Sequence, residues 1–222
     1  MALAYLNMKK EEIKTEIEAE KKVDNYNILS FVVGRGVRAL GVGAVISFLP
    51  TFAAEHLGLS GGQSSLTMAL FFVGCILGNL VGGWMADRRT ELLILTSATL
   101  ISIPALLGLT YLKITGLASL LIIIYGMSHG SFFAPQNSWL TTVSTQSTRG
   151  KILGAGFLMD GISVTAAPTL FGWIADRIGL VGSFRWTLIP VIISMIFFVR
   201  LYYLEYRDDL SVKGSQAEVI SK

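Results

Sequence analysis

Charge is what this 222-residue chain has least of, with 15% of its residues Asp, Glu, Lys or Arg, where a soluble domain carries about 25%. The shortage is uneven. Eleven charged residues lie in 1–28 and six in 207–222, which leaves 16 across the 178 residues between. A water-exposed fold of this size buries only about 70% of its chain's surface and cannot hide so apolar a middle. Composition therefore excludes a soluble enzyme and a disordered chain. Cysteine is nearly absent as well: Cys75 stands alone within an apolar run, so an intrachain disulfide or a cysteine metal cluster is excluded. There are two histidines, His56 and His129, and no His-Glu-x-x-His pair to hold zinc. No metal and no cofactor is expected. A secretory signal is also missing, because Ala2–Leu6 is too short for an apolar core and lysines and glutamates follow at once.

What the chain does have is apolar length. Hydrophobic residues make up 52% of it and mean hydropathy is +0.61. A helix needs about 20 mostly apolar residues to cross a bilayer, and six such spans fit near 29–54, 64–86, 91–112, 117–146, 151–176 and 183–205. Short separators rich in turn residues divide them, among them Leu59-Ser60-Gly61-Gly62, Asp87-Arg88-Arg89-Thr90 and Gly179–Ser183. The expected fold is an all-α membrane protein. Residues 1–28 form a charged cytoplasmic segment, 29–206 the six-helix domain and 207–222 a C-terminal tail. The last span is the weakest, with Pro190 inside it.

Six spans place both termini on one side. That side would carry 12 of the 18 Lys and Arg residues and the opposite loops three (Lys113, Arg177 and Arg185), with Arg35, Arg38 and Arg200 inside spans. The positive-inside rule makes the termini cytoplasmic, in a multi-pass protein of the plasma membrane. The net charge of +3 then reflects basic cytoplasmic loops, and nucleic acid is not an expected partner.

Gly83-Trp84-Met85-Ala86-Asp87-Arg88 returns 89 residues later as Gly172-Trp173-Ile174-Ala175-Asp176-Arg177. One copy ends the second span and the other the fifth, so the unit is three helices used twice, the second copy inverted in the membrane. Inverted repeats are a common plan of secondary transporters, with solute bound near the midplane. Both copies also suit the plainer task of ending a helix with an interfacial charged pair.

At these residues the chain resembles the major facilitator superfamily, whose signature Gly-x-x-x-Asp-Arg/Lys-x-Gly-Arg/Lys-Arg/Lys lies between the second and third helices of each six-helix half. Gly83, Asp87 and Arg88 match it. Thr90 replaces the later Gly, and Glu91 and Leu92 the basic pair; such decay is what the resemblance implies for a C-terminal half. Arg149-Gly150, Phe48-Leu49-Pro50 and Leu57-Gly58-Leu59-Ser60 are similar to further landmarks of that half. The likeness covers 29–206, residues 1–28 resemble the linker between halves, and the first half is expected to be missing. The Asp87–Arg88 corner either latches one conformation through a charge network or anchors the helix end. Gly74, Gly78 and Gly82 form a small-residue stripe for close helix packing.

Charges at membrane depth need an account. Arg35 and Arg38 share a face of the first span. Asp160 lies at the depth counted for Arg38, about 12–15 Å in, with Gly156 leaving room one turn before it. An Arg38–Asp160 ion pair is expected, or an arginine holding an anionic solute with Asp160 as a protonatable switch; snorkelling arginines and a structural Asp160 are the plainer alternative. In the fourth span His129 shares its face with Tyr125, Phe132 and Gln136, past a kink expected at Pro135. Such a stripe suits a solute cavity or a packing histidine. Asn137 and Asn79 are lesser candidates.

These features lead to secondary active transport of a small solute by alternating access, with coupling to protons open. The chain would act as a half-transporter beside lipid, facing a second six-helix half or another copy of itself. A non-transporting remnant or partner subunit is the alternative. An intramembrane hydrolase is a more distant one: Gly126-Met127-Ser128-His129-Gly130 fits Gly-x-Ser-x-Gly, but that motif works as a strand-to-helix elbow. Adjacent helical residues diverge by about 100°, so His129 cannot serve Ser128 as base. No catalytic residue is expected.

Overall fold

The computed structural model describes residues 25–88 and 90–220. The charged extension expected at 1–28 lies outside the described residues as far as residue 24. Among the described residues there is no strand, and seven helices follow one another: α1 Asn25–Leu57, α2 Gly61–Ala86, α3 Glu91–Tyr111, α4 Thr115–Gly130, α5 Phe133–Val143, α6 Arg149–Trp186 and α7 Leu188–Ile220. Five stretches are long and apolar enough to cross a membrane. Four of them, Asn27–Leu57, Gly61–Ala86, Glu91–Tyr111 and Thr115–Val143, coincide with the first four expected spans. The fifth, Arg149–Arg207, runs 59 residues and takes in both remaining ones.

Local chemistry sets the boundaries. Gly58, at φ 68°, closes α1 in the left-handed region that only glycine adopts freely. The backbone N–H of Ser60 then donates to Gln63 Oε1 at 3.1 Å, satisfying one free donor at the start of α2. The fourth span breaks between α4 and α5 at Ser131–Phe132, one turn before the kink expected at Pro135. Proline lacks the N–H that would bond the carbonyl four residues back, and its ring crowds that carbonyl, which belongs to Ser131.

One expectation about the C-terminal third needs correction. The separator at Gly179–Ser183 is almost entirely helical; only Gly179 leaves the helix, at φ 79° and ψ 162°. Pro190 does lie inside the last helix, in the first turn of α7, where a missing N–H costs nothing. Gly179 sits in a region of backbone space that a Cβ makes strained, although no atom lies within 4 Å of where that Cβ would be. Gly179→Ala is expected to cost about 1–3 kcal/mol, read as a lower unfolding midpoint in detergent. An unchanged midpoint would mean that this bend relaxes freely.

Packing is close where glycines allow it. Gly74, Gly78 and Gly82 of α2 lie against the carbonyls of Ile123, Met127 and Ser131, and Gly126 and Gly130 face those of Phe71 and Cys75. Residue numbers rise together along both helices, so α2 and α4 run parallel. Gly36 and Gly43 of α1 likewise admit Met159 and Val164 of α6.

The core has two large parts beside a small cluster of Ala44, Ala167 and Phe171. One gathers Leu49, Phe52, Phe71, Leu106, Leu109 and Tyr125. The other gathers Phe31, Leu95, Phe132, Trp139 and Phe198. Along α1 the first part holds Val45 to Phe52 and the second Phe31 and Val32. Arg35 and Arg38 fall between the two. The outer faces stay apolar, with Leu66, Ile76, Leu80 and Leu158 each more than 60% exposed, as suits lipid or partner helices.

Candidate functional site

The polar level between the two cores opens into a cavity of about 170 Å³, lined among others by Arg35, Arg38, His129, Phe132, Gln136 and Asp160. Four helices supply these side chains: α1 the arginines, α4 His129, α5 Gln136 and α6 Asp160.

Arg35 is 2% exposed and holds Asp160, not the Arg38–Asp160 pair expected from depth. Its Nη2 and Nε donate to Asp160 Oδ2 at 2.6 and 2.8 Å. Its Nη1 donates to Asn137 Oδ1 at 3.2 Å, and Phe157 lies under the guanidinium, 5.0 Å from ring centroid to Cζ. One arginine thus ties α1 to both α5 and α6. Arg35 and Arg38 stand three residues apart on α1, about 4.5 Å along the axis, and the setting of α1 against α6 brings the first of them to Asp160. Gly156 makes the room, since a Cβ there would stand 3.0 Å from Arg35 Nη1.

Arg38, one turn deeper, is 4% exposed and has no carboxylate partner among the described residues. Its guanidinium lies 4.0 Å from the ring centre of Phe132. Nη1 meets His129 Nδ1 at 3.3 Å, Nη2 reaches the Ser128 carbonyl at 3.5 Å, and Nε is buried without a partner. Arginine only donates, so Nδ1 accepts and the His129 proton resides on Nε2.

The expected stripe on the fourth span is divided. His129, Phe132 and Gln136 line the cavity. Tyr125 is 2% exposed, packs in the Leu49–Phe52 part of the core, and its hydroxyl is buried without a partner. Tyr125 keeps the face of His129, both rings flanking Phe71 at 6.0 and 5.8 Å, but the cavity wall includes only His129 of the two. Of the lesser candidates Asn137 joins the site and Asn79 is exposed. Phe157 and Phe133 are additions; Phe157 precedes Asp160 by three residues, a helical spacing that marks it as a neighbour in sequence. The Ser128 hydroxyl donates to the Ala98 carbonyl at 2.5 Å, a packing bond between α4 and α3.

At the end of α2, Gly83 faces only Ala134 Cβ at 3.9 Å. Arg88 lies over the Trp84 ring at 4.2 Å rather than on a carboxylate, and Asp87 has no ion-pair partner among the described residues. The second copy of the hexapeptide repeats the contact, with Arg177 over Trp173 at 3.3 Å. Nearby, Ser138 donates to Glu91 Oε1 at 2.9 Å, tying α5 to the start of α3.

An all-helical, lipid-compatible fold around a buried ion pair is the setting in which comparison with known proteins becomes informative. The family model described as Major Facilitator Superfamily matches residues 31–221; the chain belongs to that family and is a multi-pass membrane protein. It is 25% identical over 146 residues to monocarboxylate transporter 12 of Rattus norvegicus, covering 64% of this chain and 30% of that one. It is 23% identical over 160 residues to the cis,cis-muconate transport protein of Acinetobacter baylyi, covering 71% and 38%. The chain therefore spans about a third of the length of these curated relatives. Among solved structures, the peptide transporter POT in complex with alafosfalin superposes with TM-score 0.76 at 12% identity, over 94% of this chain and 49% of that one. The E. coli fucose:proton symporter does so with TM-score 0.67 at 16% identity, over 80% and 42%.

Proposed function

We propose that this chain is a six-span half of a secondary transporter that moves a small solute by alternating access. The observation that carries the reading is the Arg35–Asp160 pair in a largely apolar cavity between two apolar cores. A charge at mid-membrane costs about 2.5–3.5 kcal/mol on insertion scales, and charges kept there mark solute and ion pathways. The 59-residue stretch Arg149–Arg207 would be about 88 Å long as one helix, twice a bilayer of about 40–45 Å. It is read as two spans meeting near Gly179, which makes six.

On this reading the two Trp–Arg stacks are equivalent points of an inverted three-helix repeat. Residues 1–28 link to another half, residues 29–206 form the transmembrane domain and residues 207–222 a tail. Both termini are cytoplasmic, in the plasma membrane. Gly83, Asp87 and Arg88 form a conformational latch, with Asp87 pairing to a neighbouring half in one state and releasing from it in the other. Arg38, His129 and Gln136 are the solute-side residues, and Arg35 serves coupling by holding Asp160. Tyr125 supports α4 from behind. Asp160 is the coupling residue, because protonating it would release Arg35. A second six-helix half or another copy covers the cavity, and a partner subunit is the alternative reading.

Alternating access can be tested before the solute is known. In a Cys75→Ser background, Val42→Cys places a thiol on the cavity wall. With the full chain in sealed vesicles of known orientation, a membrane-impermeant maleimide is expected to label Val42→Cys from either side. Labelling confined to one side would defeat alternating access by this chain and leave the partner-subunit alternative.

A further inference from the structure

The two arginines of the cavity are not equivalent, and their difference bears on the solute. We propose that the site takes a monoanion, a small carboxylate, and that Arg38 is the residue that binds it. The inference rests on the transport reading above and specifies its substrate class.

The first support is charge. The cavity lining contains Arg35, Arg38 and Asp160 as its ionised groups, with His129 neutral because Nδ1 accepts a hydrogen bond from Arg38. Arg35 and Asp160 cancel. One positive charge is left, and it is on Arg38. A monoanion completes the balance, a neutral solute leaves the cation uncompensated and a dianion overshoots.

The second support is hydrogen bonding. The Arg35–Asp160 contacts of 2.6 and 2.8 Å have the short length of charge-assisted bonds. Those of Arg38, at 3.3 Å to His129 and 3.5 Å to the Ser128 carbonyl, are long and go to neutral acceptors. Nε has no partner at all. A carboxylate is the planar acceptor that a guanidinium fork matches best. Phe132 lies against the guanidinium at 4.0 Å, which fixes the plane of that fork without using a donor. His129 Nε2–H and the Gln136 amide supply further neutral donors on the same wall.

The third support is size. The cavity's 170 Å³ is room for about six waters at ~30 Å³ each, enough on this side for a short-chain acid and little more.

The test uses the purified full chain in detergent, with tryptophan fluorescence following thermal unfolding while propanoate, propanamide or malonate is added. Ligand that binds the folded state raises the midpoint. Propanoate is expected to raise it, propanamide to leave it unchanged and malonate to act more weakly than propanoate. Arg38→Gln is expected to weaken propanoate by about 30-fold or more. Arg38→Lys, which keeps the charge without the planar fork, should fall between. The double variant Arg35→Gln/Asp160→Asn, which removes the other pair without changing net charge, should still respond to propanoate.

Equal stabilisation by propanamide, no response to propanoate, or a response lost in the double variant and kept in Arg38→Lys would each overturn the assignment. Should Arg38→Gln fail to fold, Arg38→Lys and the double variant carry the decision. Binding is read here without transport. An unresponsive chain whose Val42→Cys still labels from both sides defeats the anion assignment alone, whereas one-sided labelling defeats the transport reading alone.

Discussion

Asp160→Ala is expected to destabilise the protein by about 3 kcal/mol, the low end for a buried pair, because it leaves the buried Arg35 charge uncompensated while Asp160 itself is 26% exposed. Arg35 is 2% exposed and cannot follow its charge to water. Its remaining bond to Asn137, at 3.2 Å, is to a neutral oxygen. The measurement is the free energy of unfolding in mixed micelles. The double variant Arg35→Gln/Asp160→Asn is expected to recover most of the loss, since neutral partners of similar shape remove the desolvation cost along with the attraction. A single variant as stable as the parent would mean that Arg35 finds water or another acceptor in the folded state. Asp160→Asn alone keeps one acceptor oxygen for Arg35 and should lose less than Asp160→Ala. In transport it should abolish any proton coupling that Asp160 provides, and a rate unchanged across pH would remove that role.

This pair also marks where the sequence stopped being sufficient. Composition and span length are bulk properties, and they located the first four apolar stretches to within a few residues. Close packing through Gly74, Gly78 and Gly82 could be read from spacing alone, because glycine every fourth residue lies on one helical face. Which arginine meets Asp160 depends on how α1 and α6 are set against each other. Arg35 and Arg38 differ by three residues, about 4.5 Å along the axis, and counting residues from each apolar span does not fix that offset.

A helical wheel puts Tyr125 on the face of His129, where both flank Phe71, but it does not show where along that face a cavity ends, and Tyr125 lies one turn away in the core. Gly179 could be read as a breaker but not as the isolated break it is, with helix on both sides. The likeness of Trp84–Arg88 to Trp173–Arg177 was visible as a repeated string. That each arginine lies flat on its tryptophan was not.

The α2–α4 contact leads to a result whose sign is opposite at two glycines five residues apart. In an exposed helix, Gly→Ala stabilises by about 1 kcal/mol through helix propensity. At Gly83 the new Cβ would meet only Ala134 Cβ at 3.9 Å, an ordinary contact, so Gly83→Ala is expected to be neutral or slightly stabilising. At Gly78 the same methyl would fall on the Met127 carbonyl oxygen, with the carbonyl carbon at 2.7 Å. Backbone cannot rotate aside as a side chain can, so the helices must separate by about 1 Å or more to restore van der Waals distance. Separation also loosens the close backbone contacts at Gly74, Gly82, Gly126 and Gly130. Gly78→Ala is therefore expected to destabilise by about 3 kcal/mol despite its better helix propensity. Equal midpoints for the two variants in detergent would show that α2 and α4 are not locked together. The displacement reaches the site as well. His129 lies two residues beyond Met127 on the helix that moves, so its contact with Arg38 should lengthen, and propanoate should stabilise Gly78→Ala less than Gly83→Ala.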